Sequence, residues 1–145
     1  MKKSLLVRKV EPFDVGEISE IAKRPNAARW SREAYAAEIG RPGSIFLVAD
    51  DGAVCGYAVA RLFQDKAELL DFAAAGDGRG TGRMLWAALA AAARARGAAT
   101  LTLEVSSANS RALLFYKRAG ARVAGRRVKF YNDGSDAILM DFILP

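Results

Sequence analysis

Four glycines in seven residues, Gly76-Asp77-Gly78-Arg79-Gly80-Thr81-Gly82, run straight into Arg83 and an alanine-rich stretch that ends at Gly97. A glycine loop that opens a helix aims several unpaired backbone N–H groups and the positive end of a helix dipole at one spot. Arg79 and Arg83 add formal positive charge there, and glycine lets the backbone approach a ligand without a Cβ in the way. The chemistry this suits is the holding of an anion such as a phosphate. A flexible turn before a helix would carry the same glycines, so the pattern alone leaves both readings open.

Proton transfer has a short list of candidates. The chain has no histidine and one cysteine, Cys55, which excludes disulfides, zinc clusters, Cys–His dyads and Ser–His–Asp triads. No metal site is expected, and acid–base work falls to Asp, Glu, Lys or Tyr. Glu104 stands on the polar side of the alternating run 100–105, and Tyr116 stands in a helical stretch 109–119. By residue type alone Glu104 also reads as a solvated strand residue, and Tyr116 as a packing aromatic.

The elements that must position these residues follow in order. A strand at 5–10 leads to a helix opened by Pro12 and stopped near Pro25, and Ser31 caps a short helix that Gly40 and Pro42 close. Trp30, just before that cap, reads first as a packing anchor. Strands at 44–49 and 54–63 make a hairpin across Asp50-Asp51-Gly52, and a strand at 67–74 delivers the chain into the glycine loop. A helix over 82–96, a strand at 100–105, a helix over 109–119 and a terminal hairpin of 122–130 with 137–144 complete the chain. Strand, loop, helix, strand in the middle demands a right-handed parallel crossover, while the flanking hairpins demand antiparallel pairing. The expected fold is α/β, a single domain over 1–145 with a mixed sheet and about four helices.

A net charge of +6, from 22 basic and 16 acidic residues, favours anionic partners. Arg94, Arg96, Arg111, Arg118, Arg122, Arg126 and Arg127 are scattered rather than interleaved with aromatics, so direct nucleic-acid binding is not expected. No apolar run is long enough to span a bilayer, and Leu5-Leu6-Val7 is broken at once by Arg8 and Lys9, which argues against a signal peptide. The expected setting is cytoplasmic, without membrane contact.

With strand, loop and helix placed, Asp77-Gly78-Arg79-Gly80-Thr81-Gly82 resembles the Q/R-x-x-G-x-G/A acetyl-CoA-binding motif of the GNAT acyltransferase superfamily. Leu103-Glu104-Val105, Asn109 and Leu114-Phe115-Tyr116-Lys117-Arg118-Ala119-Gly120 are similar to the L-E-V, N and L-Y-x-x-x-G-F run of the RimI kind, the ribosomal-protein alanine N-acetyltransferases. Arg29-Trp30-Ser31, Arg126-Arg127, Phe130-Tyr131 and Gly134-Ser135-Asp136-Ala137-Ile138-Leu139-Met140 extend the likeness over nearly the whole chain. Two departures stand out: Asp77 replaces the leading Gln or Arg, and the link Ala73-Ala74-Ala75-Gly76 is shorter than the usual one.

The resemblance implies a mostly antiparallel sheet with a central splayed parallel strand pair. It implies acetyl-CoA as cosubstrate and direct attack of an amine on its thioester, with Glu104 as general base and Tyr116 as general acid. The cofactor would be held by Phe72, Ala73, Ala74, Gly78, Arg79, Gly80, Thr81, Gly82, Arg83 and Asn109. Trp30 and Tyr131 are candidates for the acceptor groove. The acceptor so implied is the N-terminal alanine of a small-subunit ribosomal protein, modified by a monomer or weak dimer. The same chemistry on a small-molecule amine or another protein N-terminus, and a non-catalytic CoA-binding module, stay as alternatives.

Overall fold

The alternation that marks the strands pairs them into one seven-stranded sheet in the computed structural model, which describes residues 4–24, 28, 30–74 and 80–145. In chain order the elements are β1 (Leu6–Lys9), a 3-10 turn (Pro12–Asp14), α1 (Val15–Ala22), α2 (Arg32–Glu38), β2 (Ser44–Asp50), β3 (Val54–Phe63) and β4 (Lys66–Ala74). Then come α3 (Thr81–Ala95), β5 (Thr100–Ser106), α4 (Ser110–Ala119), β6 (Arg122–Arg127) and β7 (Ala137–Ile143). The strand order is β1-β2-β3-β4-β5-β7-β6, and every neighbouring pair is antiparallel except β4–β5. Among the described residues no helix is long and apolar enough to cross a membrane.

Alternation along β3 sorts the core into two layers. Ala58 and Ala60 face one side with Leu85, Leu89 and Ala93 of α3, whereas Tyr57 and Val59 face the other with Ile18 and Ile21 of α1 and Tyr35 of α2. Small residues on β3 and α3 let that helix lie close. A Cβ on Gly56 would come within 2.9 Å of Leu85 Cδ1 and 3.0 Å of the Ala73 carbonyl oxygen.

What positions the site is a failure of pairing. The parallel ladder runs only from Lys66 opposite Thr100 to Glu68 opposite Thr102. Past that point β4 stays with β3 as far as Gly56 opposite Ala74, and β5 stays with β7 as far as Ser106 opposite Ala137. The two strands therefore part company. A bulge helps: Leu69 pairs with Ala60 and Asp71 with Val59, leaving Leu70 as an extra residue that bends β4.

Two expectations are refined. The first helix is a 3-10 turn before it becomes α1, because the Asp14 carboxylate accepts the Glu11 N–H (2.7 Å) and a fork of bonds from Arg8 (2.8 Å each). The strand expected over 122–130 stops at Arg127, since Lys129 turns left-handed (φ 50°). Asp136 fixes that break by accepting the Lys129 N–H at 2.9 Å and pairing with Arg126 at 3.1 Å.

Candidate active site

The parting of β4 from β5 opens a cleft of about 560 Å³. Leu70, Asp71 and Phe72 form one lip and Glu104, Val105 and Ser106 the other. Asn109, Ala112 and Tyr116 of α4 wall one end, and Tyr131, Asn132 and Asp133 reach over from the loop before β7. On the β4 lip, residues beyond Glu68 have no β5 register partners, and Ala73 and Ala74 keep their pairing with Tyr57 and Gly56 of β3.

Tyr116 is carried by a well-capped helix. The Asn109 side-chain oxygen accepts the Ala112 N–H (3.1 Å) at the start of α4, and left-handed Gly120 closes its end. The Tyr116 ring packs among Phe72 (6.3 Å), Trp86 (5.6 Å) and Phe115 (5.4 Å), leaving the residue 8% exposed. Burial first, and the charge of Asp71 second, raise its phenol above the ordinary tyrosine value. Among the described residues its hydroxyl has no hydrogen-bond partner. A neutral phenol that keeps its proton at the cleft wall is a hydrogen-bond donor waiting for an acceptor.

Glu104 stands opposite, on β5, where Leu139 is its register partner on β7. Its side chain is 37% exposed, and Oε1 lies 3.7 Å from Arg127 Nη2. Tyr131 looks at it: burial and the Glu104 charge together raise the Tyr131 phenol. The carboxylate and the Tyr116 phenol thus line one cavity from its two sides.

Outside the cleft lining, α3 starts on Gly80 in the left-handed conformation (φ 78°) with no side-chain cap and no acidic residue in its first turn. Its neighbours α2 and α4 are both capped, by Ser31 and Asn109. Gly82 lies against α4, where an added Cβ would meet the Phe115 ring at 3.1 Å. Arg83 is exposed on the same turn. Gly78, Arg79 and the departure at Asp77 lie outside the described residues.

Trp30 stacks on Tyr35 with ring centroids 5.3 Å apart and does not line the cleft, so here it packs. As site residues, Asp71 and its partners Tyr35 and Tyr57 escaped the sequence reading, Tyr35 being legible only as an apolar position on the helix that Ser31 caps. The available signal was a lone carboxylate in the apolar run Leu69-Leu70-Asp71-Phe72. Gly56 was also passed over, although a glycine inside a strand marks a close approach.

Residues 15–121 match the family model for the acetyltransferase (GNAT) family. The [ribosomal protein bS18]-alanine N-acetyltransferase of Escherichia coli K12 is 31% identical over 139 residues, covering 92% of this chain and 94% of that one. A protein of Bacillus subtilis, named as a putative enzyme of the same kind, is 28% identical over 145 residues, covering 97% of this chain and 96% of its own. The crystal structure of the Escherichia coli ribosomal-protein-S18-alanine N-acetyltransferase superimposes with a TM-score of 0.85 at 28% identity, over 97% of this chain and 94% of that one. With a family model matched over most of its length and a splayed parallel pair at the centre of its sheet, the chain belongs to the GNAT family of acetyltransferases.

Proposed function

We propose that this protein transfers acetyl from acetyl-CoA to the N-terminal α-amine of a protein, the N-terminal alanine of a small-subunit ribosomal protein. The observation that carries the reading is one cleft lined by both Glu104 and Tyr116, between strands that separate after Glu68 and Thr102. The likeness to alanine N-acetyltransferases supplies the choice of acceptor.

The residues divide the work as follows. Acetyl-CoA is the acetyl donor; the uncapped start of α3, with Arg79 and Arg83, takes its pyrophosphate. Asn109 keeps its amide N–H₂ for the pantetheine arm while its oxygen caps α4. The acceptor nitrogen attacks the thioester carbonyl, and amides around Ala73 and Ala74 steady the oxyanion. As the new C–N bond forms and the C–S bond breaks, the nitrogen's proton passes to Glu104, directly or through a water. Tyr116 donates a hydrogen bond to the departing sulfur.

Magnitudes fit that division. An α-amine of pKa about 7.8 is roughly 14% neutral at pH 7, against about 0.04% for a lysine near 10.4, so one modest base is enough. A thiol near 8.5 is already more acidic than an ordinary tyrosine near 10, which makes full proton transfer from phenol to thiolate uphill by roughly 2 kcal/mol. Raising the Tyr116 phenol widens that gap, so a hydrogen bond is its contribution. Mass spectrometry of an alanine-headed peptide incubated with acetyl-CoA tests the reading. One added acetyl on the α-nitrogen is expected, and Glu104→Gln should cut turnover about a hundred-fold with acetyl-CoA affinity unchanged. Small amines outcompeting the peptide would move the acceptor to that class.

A further inference from the structure

The cleft holds two further carboxylates that this mechanism does not use: Asp133, which is exposed and accepts hydrogen bonds from Ser135, and Asp71, which is buried. The bulge at Leu70 turns Asp71 to the face of the sheet that also carries Glu104, whereas Phe72 and Val105 look back toward α3 and α4. Asp71 is 5% exposed and lines the cleft. Its Oδ2 accepts hydrogen bonds from Tyr35 Oη (2.7 Å) and Tyr57 Oη (2.8 Å), and its Oδ1 accepts the Ala28 N–H (3.2 Å). The donors come from α2, from β3 and from the segment before α2, so three separate pieces of chain fix one carboxylate. A carboxylate offers about four acceptor positions, and three are taken.

The other buried carboxylates among the described residues have cations. Asp14 pairs with Arg8 at 2.8 Å and Glu38 with Arg61 at 2.6 Å. Among the described residues Asp71 pairs with no Lys or Arg, and none lines the cleft. Burying a charge without a counter-charge is costly, and among the described residues its three hydrogen bonds are what offset that cost. Its field extends through the cleft, since it raises the phenol of Tyr116 on the far wall.

We propose that Asp71 receives the ammonium ion of the acceptor, and that Tyr35 and Tyr57 are positioning residues that hold its remaining lone pair toward the cleft. The inference rests on the acetyltransferase reading of the site and narrows its substrate class. The acceptor arrives as a primary ammonium and docks on the β4 lip; it loses one proton to solvent, which frees its lone pair, and gives a second to Glu104 on the β5 lip as the C–N bond forms and the CoA thiolate leaves. Alcohols, thiols and aromatic amines, uncharged at neutral pH, lack the group that Asp71 recognises.

The test compares binding rather than turnover. Protein saturated with CoA, which cannot acetylate, is titrated with an alanine-headed peptide and with the same peptide carrying a propionyl group instead of alanine, so that only the amino group is missing. Propylamine and propanol make a second, smaller pair. The wild type should prefer the amine of each pair at least ten-fold, Asp71→Asn should reduce the preference to within three-fold at unchanged CoA affinity, and Glu104→Gln should retain it. A folded Asp71→Asn protein that keeps a ten-fold preference overturns the proposal. Selectivity for propylamine without peptide binding would instead refute the N-terminal acceptor and leave Asp71 in its role. If Asp71→Asn fails to fold, the carboxyl ¹³C resonance of Asp71 in wild-type protein decides. It must shift with propylamine and not with propanol, and an unmoved resonance sinks the idea.

Discussion

Gly56→Ala is the perturbation that asks most of the architecture. The added methyl would sit 2.9 Å from Leu85 Cδ1, 3.0 Å from the Ala73 carbonyl oxygen and 3.2 Å from the Ala74 Cα. Leu85 is fully buried beneath α3, and Ala73 and Ala74 are the last residues of β4. Relief therefore requires either that α3 lift or that the end of β4 move. Overpacking of this size costs about 1–3 kcal/mol. With an unfolding entropy of about 0.3 kcal/mol/K for a chain this long, the melting temperature should fall by about 3–10 °C. Both ways out displace the lip of the cleft and the start of α3. The KM for acetyl-CoA should then rise at temperatures where the variant is fully folded. Calorimetric melting and initial rates at 20 °C read the two effects. A variant that melts with the wild type would refute the claim that α3 and β4 are in hard contact here. One that melts lower with an unchanged KM would separate packing at Gly56 from the cofactor site.

Two other perturbations reach different parts of the argument. Tyr116→Phe keeps the ring among Phe72, Trp86 and Phe115 and removes the donor alone, so kcat should fall by about a hundred-fold while melting is unchanged; steady-state rates beside a melt check it. Acidification should destabilise the fold through Asp14 and Glu38, whose arginine partners hold both carboxyls below the ordinary values. A depressed carboxyl stabilises above its unfolded pKa, near 4, and loses that contribution as pH falls through the folded value, because the unfolded chain binds the proton first. The urea midpoint should drop below about pH 4, and Arg8→Met should be less stable at pH 7 with a flatter acid slope.

Periodicity made the sheet legible in advance, and caps made the helices so. Ser31 accepts the Ala34 N–H at 3.1 Å, and Gly97 and Gly120 are both left-handed where a helix must end. These are local properties, fixed by neighbours in sequence. The parallel crossover was readable too, because a strand, a helix and a strand leave few ways to connect. The extra residue at Leu70 was not, since a bulge depends on what the partner strand can offer. Counting alternation through Leu69-Leu70-Asp71-Phe72 without the bulge puts Asp71 on the same face as Leu69, in the apolar layer under α3. Only the pairing with Val59 shows it facing Tyr57 instead. Glu104 and Tyr116 were reached through likeness to a family, since their residue types were equally compatible with a solvated strand and a packed ring.

The cleft exists because each lip has support of its own. A parallel pair that stops after three registered positions leaves backbone groups unpaired on both strands, and nothing in β4 or β5 alone keeps them from closing up. β4 is held away by β3 along its full length, with Tyr35 and Tyr57 gripping Asp71 from the layer that also contains α1. β5 is held by β7 from Thr100 to Ser106, and α4 wedges Tyr116 against Phe72 beneath the gap. Closure would break pairs on one side to make them on the other. It would also bring the Asp71 and Glu104 carboxylates, which face the same side of the sheet, nearer to each other with no cation between them among the described residues. Like charges that approach in a cleft repel, an effect reduced but not removed by Arg127, 3.7 Å from Glu104 Oε1. The same two carboxylates that suit the site to a cationic acceptor therefore also help to hold it open until one arrives.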